Sequence, residues 1–410
     1  MRRPSFVLFL ILALPRGAAP QQAQSTPLTT RWEDGFVIES ADQEFRIQFG
    51  AVAQVDGRFS VDDHEPITNT FTLRKARPIV AGRVTRHFSF RLMPEFGGGN
   101  PVILDAYVDM RLLPGLRLRA GKDKTPVGYE LLIGDANLFF PERALPSGLV
   151  PNRDVGFQAQ GELFRQKLTY SAGVFNGIPD GVGSSADVDT NGGKDLAGRL
   201  MFQPFRGAAP AAATPVSGLG FHLGGSTGGQ RGVVPSYRTS LGQTYFAYAA
   251  AVEANGPRRR LTPAVFYFYR SFGAFAEYVR STQEVLAAGV TREISNDGYE
   301  VTGSFLMTGE TASSGTIRPL RPFDPENGEW GAVQVLARYA RLRVDGDAFT
   351  YALAAPGASG GAASFTLGVN WYPTSFIKWY ATYERTKFDR RGEGPRQAEN
   401  AVLFRAQIAF

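Results

Sequence analysis

The most distinctive candidate chemistry in this chain is a group of cationic side chains where a strand-like segment breaks off. Residues 116–124 have the sequence LRLRAGKDK, which contains Arg117, Arg119, Lys122 and Lys124. Arginine binds oxyanions through a planar pair of donors, whereas lysine acts as a mobile point charge. We therefore predict that these four residues line a constriction through which small anions pass.

A second group of cations lies upstream, on segments with the same alternating pattern. Residues 72–84 have the sequence TLRKARPIVAGRV, and residues 88–92 have the sequence FSFRL. Arginines and lysines in a low-dielectric wall create a potential that favours anions, provided that binding stays weak enough for release. We expect five of these cations to line the path by which anions reach the constriction, and we call them the approach ladder: Arg74, Lys75, Arg77, Arg83 and Arg91.

Acidic residues close to these cations leave a second interpretation open. Asp105, Asp109, Asp123 and Glu130 are interspersed with the basic residues, and Asp123 stands between two of the lysines. Some of the cations would then form ion pairs that brace the structure instead of attracting ions. The Lys-Asp-Lys order also argues against a pore tuned to phosphate alone.

Catalytic and metal-binding patterns are weak. The three histidines, His64, His87 and His222, have no metal-ligand spacing between them, and the chain contains no cysteine. The glycine clusters at 97–99 and 225–229 lack the lysine and the strand-to-helix context of a phosphate-binding loop. His222 and Ser226 are the nearest approach to a hydrolytic pair, with no third partner indicated. We therefore expect no enzyme activity, no metal and no cofactor.

The elements that must position the cations are long strands with one apolar and one polar face. Phe45, Ile47 and Phe49 alternate with Arg46 and Gln48, and the period of two continues to about residue 58. A tilted strand of about ten residues is long enough to cross a bilayer. Few segments have helical periodicity and no linker divides the chain, so we predict an all-β fold, a transmembrane antiparallel β-barrel with lipid outside and water inside.

One interruption of this pattern is unusually long. Between the strand that begins near Leu116 and the strand that resumes near Phe157, the chain is rich in Gly, Pro, Asn and Asp. A loop longer than about 15 residues is uncommon in a compact domain and is usually functional. We predict that it folds inward as a constriction loop, and that residues 138–150 dock it against the inner wall.

The N-terminus carries a targeting signal. Residues 1–23 combine Arg2, Arg3, an apolar run over 5–14 and small residues at 17–19, the pattern of a secretory signal peptide cleaved between about 18 and 24. We interpret 24–34 as a polar leader and 35–410 as the barrel domain. Removal of Arg2, Arg3 and Arg16 with the signal lowers the formal net charge from +6 to +3. The basic balance therefore does not favour nucleic-acid binding.

The C-terminus resembles an outer-membrane assembly signal. The last residue is Phe410, and Ile408, Ala406, Phe404 and Val402 precede it at every second position. Transmembrane barrels place aromatic residues at the boundaries of their apolar band. We expect the barrel assembly machinery to recognise Phe410, and outer-membrane lipid or lipopolysaccharide to surround the finished barrel in a Gram-negative bacterium.

Segments along nearly the whole mature chain resemble the phosphate-selective porin O/P family of Gram-negative outer membranes. The most specific is FPERALPSGLVPNRDVGFQAQGEL at 140–163, and others are TLRKARPIVAG, RLMPEFG, DAYVDMR, LRLRAGKDKTPVGYE, YSAGVFNGIPDG, GKDLAGRLMFQPF, WGAVQVLARYARL and LGVNWYPTS. The resemblance implies a 16-stranded homotrimeric porin whose third extracellular loop enters the lumen, where inward lysines and arginines guide anions. The N-terminal coiled-coil extension of some members has no counterpart here, because the heptads are missing.

Three functions remain open. The first is an outer-membrane porin for passive diffusion of small anions, with inorganic phosphate or polyphosphate as the leading candidate. The second is a general or weakly selective diffusion porin. The third, from another class, is a structural or adhesin barrel whose lumen the loop plugs, which would conduct nothing.

Overall fold

Strands make up most of the structure, a computed structural model that describes residues 27–61, 68–189, 192–207, 214–389 and 396–410. In chain order they are β1 (Leu28–Trp32), β2 (Phe36–Ser40), β3 (Arg46–Ser60), β4 (Thr70–Thr85), β5 (Phe88–Glu95), β6 (Val102–Leu113), β7 (Leu116–Lys124), β8 (Arg153–Leu163), β9 (Leu168–Phe175), β10 (Asp195–Phe202), β11 (Leu219–Gly232), β12 (Tyr237–Arg238), β13 (Thr244–Phe246), β14 (Glu253–Tyr269), β15 (Phe272–Ala287), β16 (Val290–Leu306), β17 (Ala332–Arg343), β18 (Gly361–Tyr372), β19 (Ile377–Phe388) and β20 (Glu399–Ala409).

The sheet closes on itself as a barrel. Strands β3–β11 and β14–β20 pair antiparallel with their sequence neighbours, and β20 pairs with β3 to complete the ring. Within the described ranges the barrel therefore has sixteen strands, as expected. Strands β12 and β13 form a separate two-stranded ribbon in a loop. Closure leaves almost every strand paired on both sides, which satisfies backbone polar groups in a membrane without disulfides.

Helical segments are short and lie in the loops. The α-helices are α1 (Tyr129–Leu132) and α2 (Asp347–Thr350), and 3₁₀ turns lie at Asp135–Asn137, Leu145–Leu149, Pro215–Gly218 and Pro325–Asn327. In the part of the chain that the structure describes, no helix is long and apolar enough to cross a membrane.

The wall exposes apolar side chains outward and buries polar side chains inward. In β18, Leu367 and Val369 are 46% and 45% exposed, whereas the alternating Thr366 and Asn370 are fully buried. Exposed apolar surface costs about 25 cal/mol per Å² in water, so an outer face of this kind requires lipid. The predicted orientation is confirmed.

The two ends of the barrel differ in their connections. At one end the turns are mostly short, as at 86–87, 114–115, 164–167 and 270–271, whereas most connections at the other end are long. Bacterial outer-membrane barrels have short periplasmic turns and longer extracellular loops, which identifies the periplasmic end. The longest exception is at the periplasmic end, where 25 residues (307–331) join β16 to β17; residues 203–218 are a second long connection at that end, and 288–289 are a short turn at the other.

The N-terminal hairpin differs from the expected polar leader. Leu28–Trp32 forms β1, which pairs with β2, and β2 extends the sheet along the beginning of β3. Trp32 packs against Phe376 and Phe410 with ring centroids 5.7 and 5.5 Å away. The segment LTTRW has no apolar alternation, so its strand depends on pairing and on this aromatic contact. The predicted signal peptide, 1–23, lies outside the described residues.

The lipid-facing assignment predicts a depth-dependent cost for a buried charge. Leu367→Lys, near the middle of β18, should lower the free energy of unfolding by about 2–4 kcal/mol, whereas Ala363→Lys, near the extracellular end of the same face, should cost at most about 1 kcal/mol. Urea titration of the protein folded into lipid vesicles measures both values. Equal costs for the two variants would contradict this placement of the apolar band.

Candidate anion pathway

The connection from β7 to β8, residues 125–152, enters the barrel as a constriction loop. Its apolar side chains are buried, among them Leu131 and Leu149. The first backbone N–H groups of α1, at Tyr129 and Glu130, donate to the Glu277 carboxylate of β15 at 2.6 and 3.0 Å. A wall carboxylate thus satisfies N–H groups that a helix start leaves unpaired.

The middle of the constriction loop is fastened to the opposite wall through its own carbonyl groups. Three lumen-facing side chains donate hydrogen bonds to these groups. Lys378 donates to the carbonyl of Leu138 at 2.7 Å, and Asn370 donates to the carbonyl of Phe139 at 2.9 Å. Arg405 donates to the carbonyl of Pro141 at 2.6 Å. Irregular backbone is tolerated at membrane depth only where protein or water satisfies it. The prediction that residues 138–150 dock against the inner wall is confirmed.

The predicted cations of β7 are all engaged with protein groups. Arg119 makes a bidentate pair with Asp109 at 2.7 and 2.8 Å, pairs with Asp123 and lies 3.6 Å above the Tyr107 ring. Arg117 is 3.5 Å from Asp109. These pairs match the bracing interpretation of the sequence.

The two lysines have different partners. The Lys122 ammonium lies 2.5 Å from Asp187, in the loop between β9 and β10. Lys124 donates to the carbonyl groups of Leu131 and Ile133 at 2.5 and 3.0 Å. Lys124 therefore holds the constriction loop where it leaves the strand, while Lys122 ties down a different loop.

The predicted ladder cations are paired as well. Each of them forms an ion pair with a carboxylate. Arg74 pairs with Glu142 at 3.1 Å, Lys75 pairs with Asp135 at 2.8 Å, and Arg77 pairs with both Glu95 and Asp135. Arg83 pairs with Glu39 and Arg91 pairs with Asp105, each at 3.1 Å. The participation of all nine predicted residues in ion passage stays a prediction.

Two carboxylates of the constriction loop are central to these contacts, although sequence reasoning did not select them. Asp135 faces Lys75, Arg77 and Arg143, and Glu142 faces several arginines. Burial opposes ionisation of Asp135, but Lys75 and Arg143 outweigh it and hold the pKa of this carboxyl well below its usual range. Loop residues have no periodicity that would have revealed their orientation.

A chamber of 450 Å³ lies inside the barrel beside the constriction loop. It is lined by three predicted cations, Arg77, Arg91 and Lys124, and by Arg153, which was not selected as a site residue. Arg153 donates to Asp105 at 2.8 Å. The same wall includes Asp105, Asp123 and Asp135, so the chamber has mixed charge.

The long periplasmic loop, residues 307–331, narrows the lumen from the other end. Ala312 and Ile317 are buried in a cluster with Tyr372. At its tip, Thr316 lies 3.4 Å from Asn137 of the constriction loop. The sequence showed only a Pro-rich loop here, because its contacts are with residues about 180 positions away.

A closed sixteen-stranded barrel with a polar lumen, an apolar exterior and an inserted loop defines the class of outer-membrane porins. The family model for the phosphate-selective porins O and P matches residues 45–410, so the chain belongs to this family. It is accordingly a porin of the Gram-negative outer membrane. No curated protein matches the sequence.

Solved porin structures share the fold at low sequence identity. The anion-selective porin from Comamonas acidovorans is 12% identical, with a TM-score of 0.55 over 90% of this chain and 100% of its own. The channel DcaP of Acinetobacter baumannii is 11% identical, with a TM-score of 0.56 over 91% and 99%. The trimer form of OmpT from Vibrio cholerae is 14% identical, with a TM-score of 0.55 over 90% and 100%.

The meeting of the two loops predicts a wider pore when the periplasmic loop is shortened. Removal of residues 313–317 should raise the single-channel conductance in a planar bilayer, because it takes away Ile317 and the contact with Asn137. Removal of the exposed 325–328 from the same loop is the matched control and should leave conductance unchanged. Equal conductance for both deletions would show that the loop does not limit flow.

Proposed function

We propose that this porin lets small anions diffuse passively across the outer membrane, with inorganic phosphate or polyphosphate as the leading candidate. The observation that carries the proposal is the sharing of carboxylates along the inner wall and the constriction loop. Ten cations are paired there: Arg58, Arg74, Lys75, Arg77, Arg91, Arg117, Arg119, Arg143, Arg153 and Arg405. They share seven carboxylates: Asp56, Glu95, Asp105, Asp109, Asp123, Asp135 and Glu142.

Among these pairs the cations outnumber the carboxylates, and an excess of positive charge in a low-dielectric wall supports anion entry. Charges on lumen walls focus the potential and raise the local concentration of the opposite ion. Because each arginine has five N–H donors and its carboxylate contacts use only some of them, a passing anion can bind without breaking the ion pairs. Binding of this kind is weak, as conduction requires.

A weakly selective diffusion porin is the second candidate. The near balance of opposite charges in the chamber favours it over strict phosphate selectivity. The third candidate, a plugged structural barrel, is favoured by the two loops that meet in the lumen. The presence of channels separates the two porins from the plugged barrel, and the reversal potential separates the two porins from each other.

Assembly and surroundings belong to the same proposal. The trimer form of Vibrio OmpT, which shares the fold, supports a homotrimer. Phe410 is paired with Ala51 through both backbone hydrogen bonds at the periplasmic end, a position that supports its recognition by the barrel assembly machinery before closure. The apolar outer face supports contact with outer-membrane lipid or lipopolysaccharide.

Reversal potentials in a KCl gradient test the function directly. We expect the purified protein in a planar bilayer to conduct and to prefer chloride over potassium, and added phosphate to reduce the chloride current at sub-millimolar concentration. A preference for potassium would refute the anion proposal. Complete absence of channels would favour the structural barrel.

The Lys122–Asp187 pair gives a sharper test of one predicted site residue. Lys122→Glu should lower the anion preference and Asp187→Asn should raise it, each by a few fold, because a charge pair at about 4 Å is worth on the order of 1 kcal/mol in water. Lys194→Glu, in the same loop and paired with Asp189, is the control. An unchanged reversal potential in both Lys122→Glu and Asp187→Asn would remove Lys122 from the pathway.

A further inference from the structure

A second cavity on the same inner wall has a different composition from the chamber. It has a volume of 370 Å³ and lies at the periplasmic end of β3–β7. We call it the arginine pocket, and its polar lining is Arg46, Gln48, Arg83, Arg86, His87, Ser89, Arg111 and Arg117. Among these described lining residues none is acidic.

Like charges face each other directly across the strands of the arginine pocket. Arg46 is the register partner of Arg83 on β3 and β4, and Arg111 is the register partner of Arg117 on β6 and β7. Opposed like charges destabilise a sheet. Two such pairs around one cavity are explained if an anion occupies it.

The nearby carboxylates compensate these arginines incompletely. Glu33 pairs with Arg46 at 3.3 Å, and Glu44 pairs with Arg86 at 3.0 Å. Glu39 pairs with Arg83 at 3.1 Å, but it also pairs with Arg31. Asp109 lies 3.5 Å from Arg117 and is already held by two nitrogens of Arg119. In the described part of the chain, the Arg111 side chain has no ion pair.

Two buried donors in the arginine pocket have no hydrogen-bond acceptor. The Nε atoms of Arg83 and Arg117 are both shielded from solvent and make no hydrogen bond in the described structure, although Arg117 Nε lies within ion-pair distance of Asp109 at 3.5 Å. Buried polar groups are nearly always hydrogen-bonded, and an unsatisfied N–H group indicates a missing acceptor. An oxyanion supplies several acceptor atoms at once.

We propose that the arginine pocket binds a multivalent oxyanion of the phosphate class at the periplasmic mouth of the pore. This inference rests on the proposed anion function and locates its strongest binding site. Arg83 lies on the same face of β4 as Arg77 and Ile79, which line the chamber, so the pocket continues the pathway toward the periplasm. The site is formed mainly by Arg83, Arg111 and Arg117, with Arg46 opposite.

Calorimetric titration of the purified full-length protein in detergent with inorganic phosphate tests the pocket. We expect the double variant Arg111→Gln/Arg117→Gln to weaken phosphate binding about tenfold or more, since charge-assisted hydrogen bonds are the strong ones. Arg206→Gln is the control, because Arg206 is an exposed arginine at the same end but outside the pocket. Unchanged affinity in the double variant, an equal loss in the control, or no phosphate binding by the unmodified protein would overturn the proposal.

A charge-preserving variant distinguishes a built site from general attraction. Arg117→Lys keeps the charge but loses the planar fork, so it should weaken phosphate binding several fold, though less than the double variant Arg111→Gln/Arg117→Gln. Equal phosphate affinity in Arg117→Lys and the unmodified protein would mean that the pocket attracts phosphate through its charge alone, and would refute a specific binding site. Far-UV circular dichroism and conductance of each variant report folding separately.

The two proposals fail in different ways. Cation preference of the unmodified protein in the bilayer would refute the anion porin, while the calorimetric comparison would still decide the pocket. Anion preference together with unchanged phosphate binding in the double variant would refute the pocket alone.

Discussion

Compensation of charge inside the barrel is the constraint on which the rest of this structure depends. With lipid outside, alternation sends most polar residues of sixteen strands into one lumen, where polar groups must find partners or water. The result is a set of shared contacts, such as Asp135 with three cations and Arg405 with both oxygens of Asp56 at 2.6 and 2.8 Å. The cations that we propose attract anions are also the groups that hold the wall together.

The same constraint positions the constriction loop. Its backbone would carry unsatisfied carbonyl groups at membrane depth, and the wall would carry unpaired cations. The carbonyl groups of the loop and the cations of the wall satisfy one another where Arg405 and Lys378 donate hydrogen bonds to the loop. Removing one partner of such a buried contact leaves the other uncompensated, which typically costs more than the contact itself contributes. The loop is therefore a fixed part of the lumen, in agreement with its buried Leu131 and Leu149.

Alternation and strand length predicted the barrel, whereas its orientation was inferred from the signal peptide, the strand length and the terminal Phe410. The inward loop was inferred from the length of the interruption and from the family resemblance. Alternation also located the cations on the inner wall correctly for Lys75 and Arg77, which are buried on β4. It did not find their partners, since Asp135, Glu142 and Asp187 lie in loops where no period fixes the direction of a side chain. The strand β1 and the inward course of residues 307–331 were missed for the same reason: tertiary contacts, not local pattern, determine them.

The extent to which carboxylates neutralise the cations differs between the constriction and the periplasmic mouth, and this difference suggests separate roles for the two regions. Beside the constriction loop the side chains are buried, and an isolated charge would be costly there, so Lys75 and Arg77 are matched by Asp135. At the periplasmic mouth the arginines are less buried, and the proposed anion would offset the opposed pairs. Arg111, which has no ion pair among the described residues, is accordingly less compensated than Lys75 and Arg77, although the sequence drew attention to Lys122 and Lys124 first. We therefore propose that the narrow segment acts mainly through its dimensions and that the anion is recognised at the mouth, where Arg111 has no ion pair among the described residues.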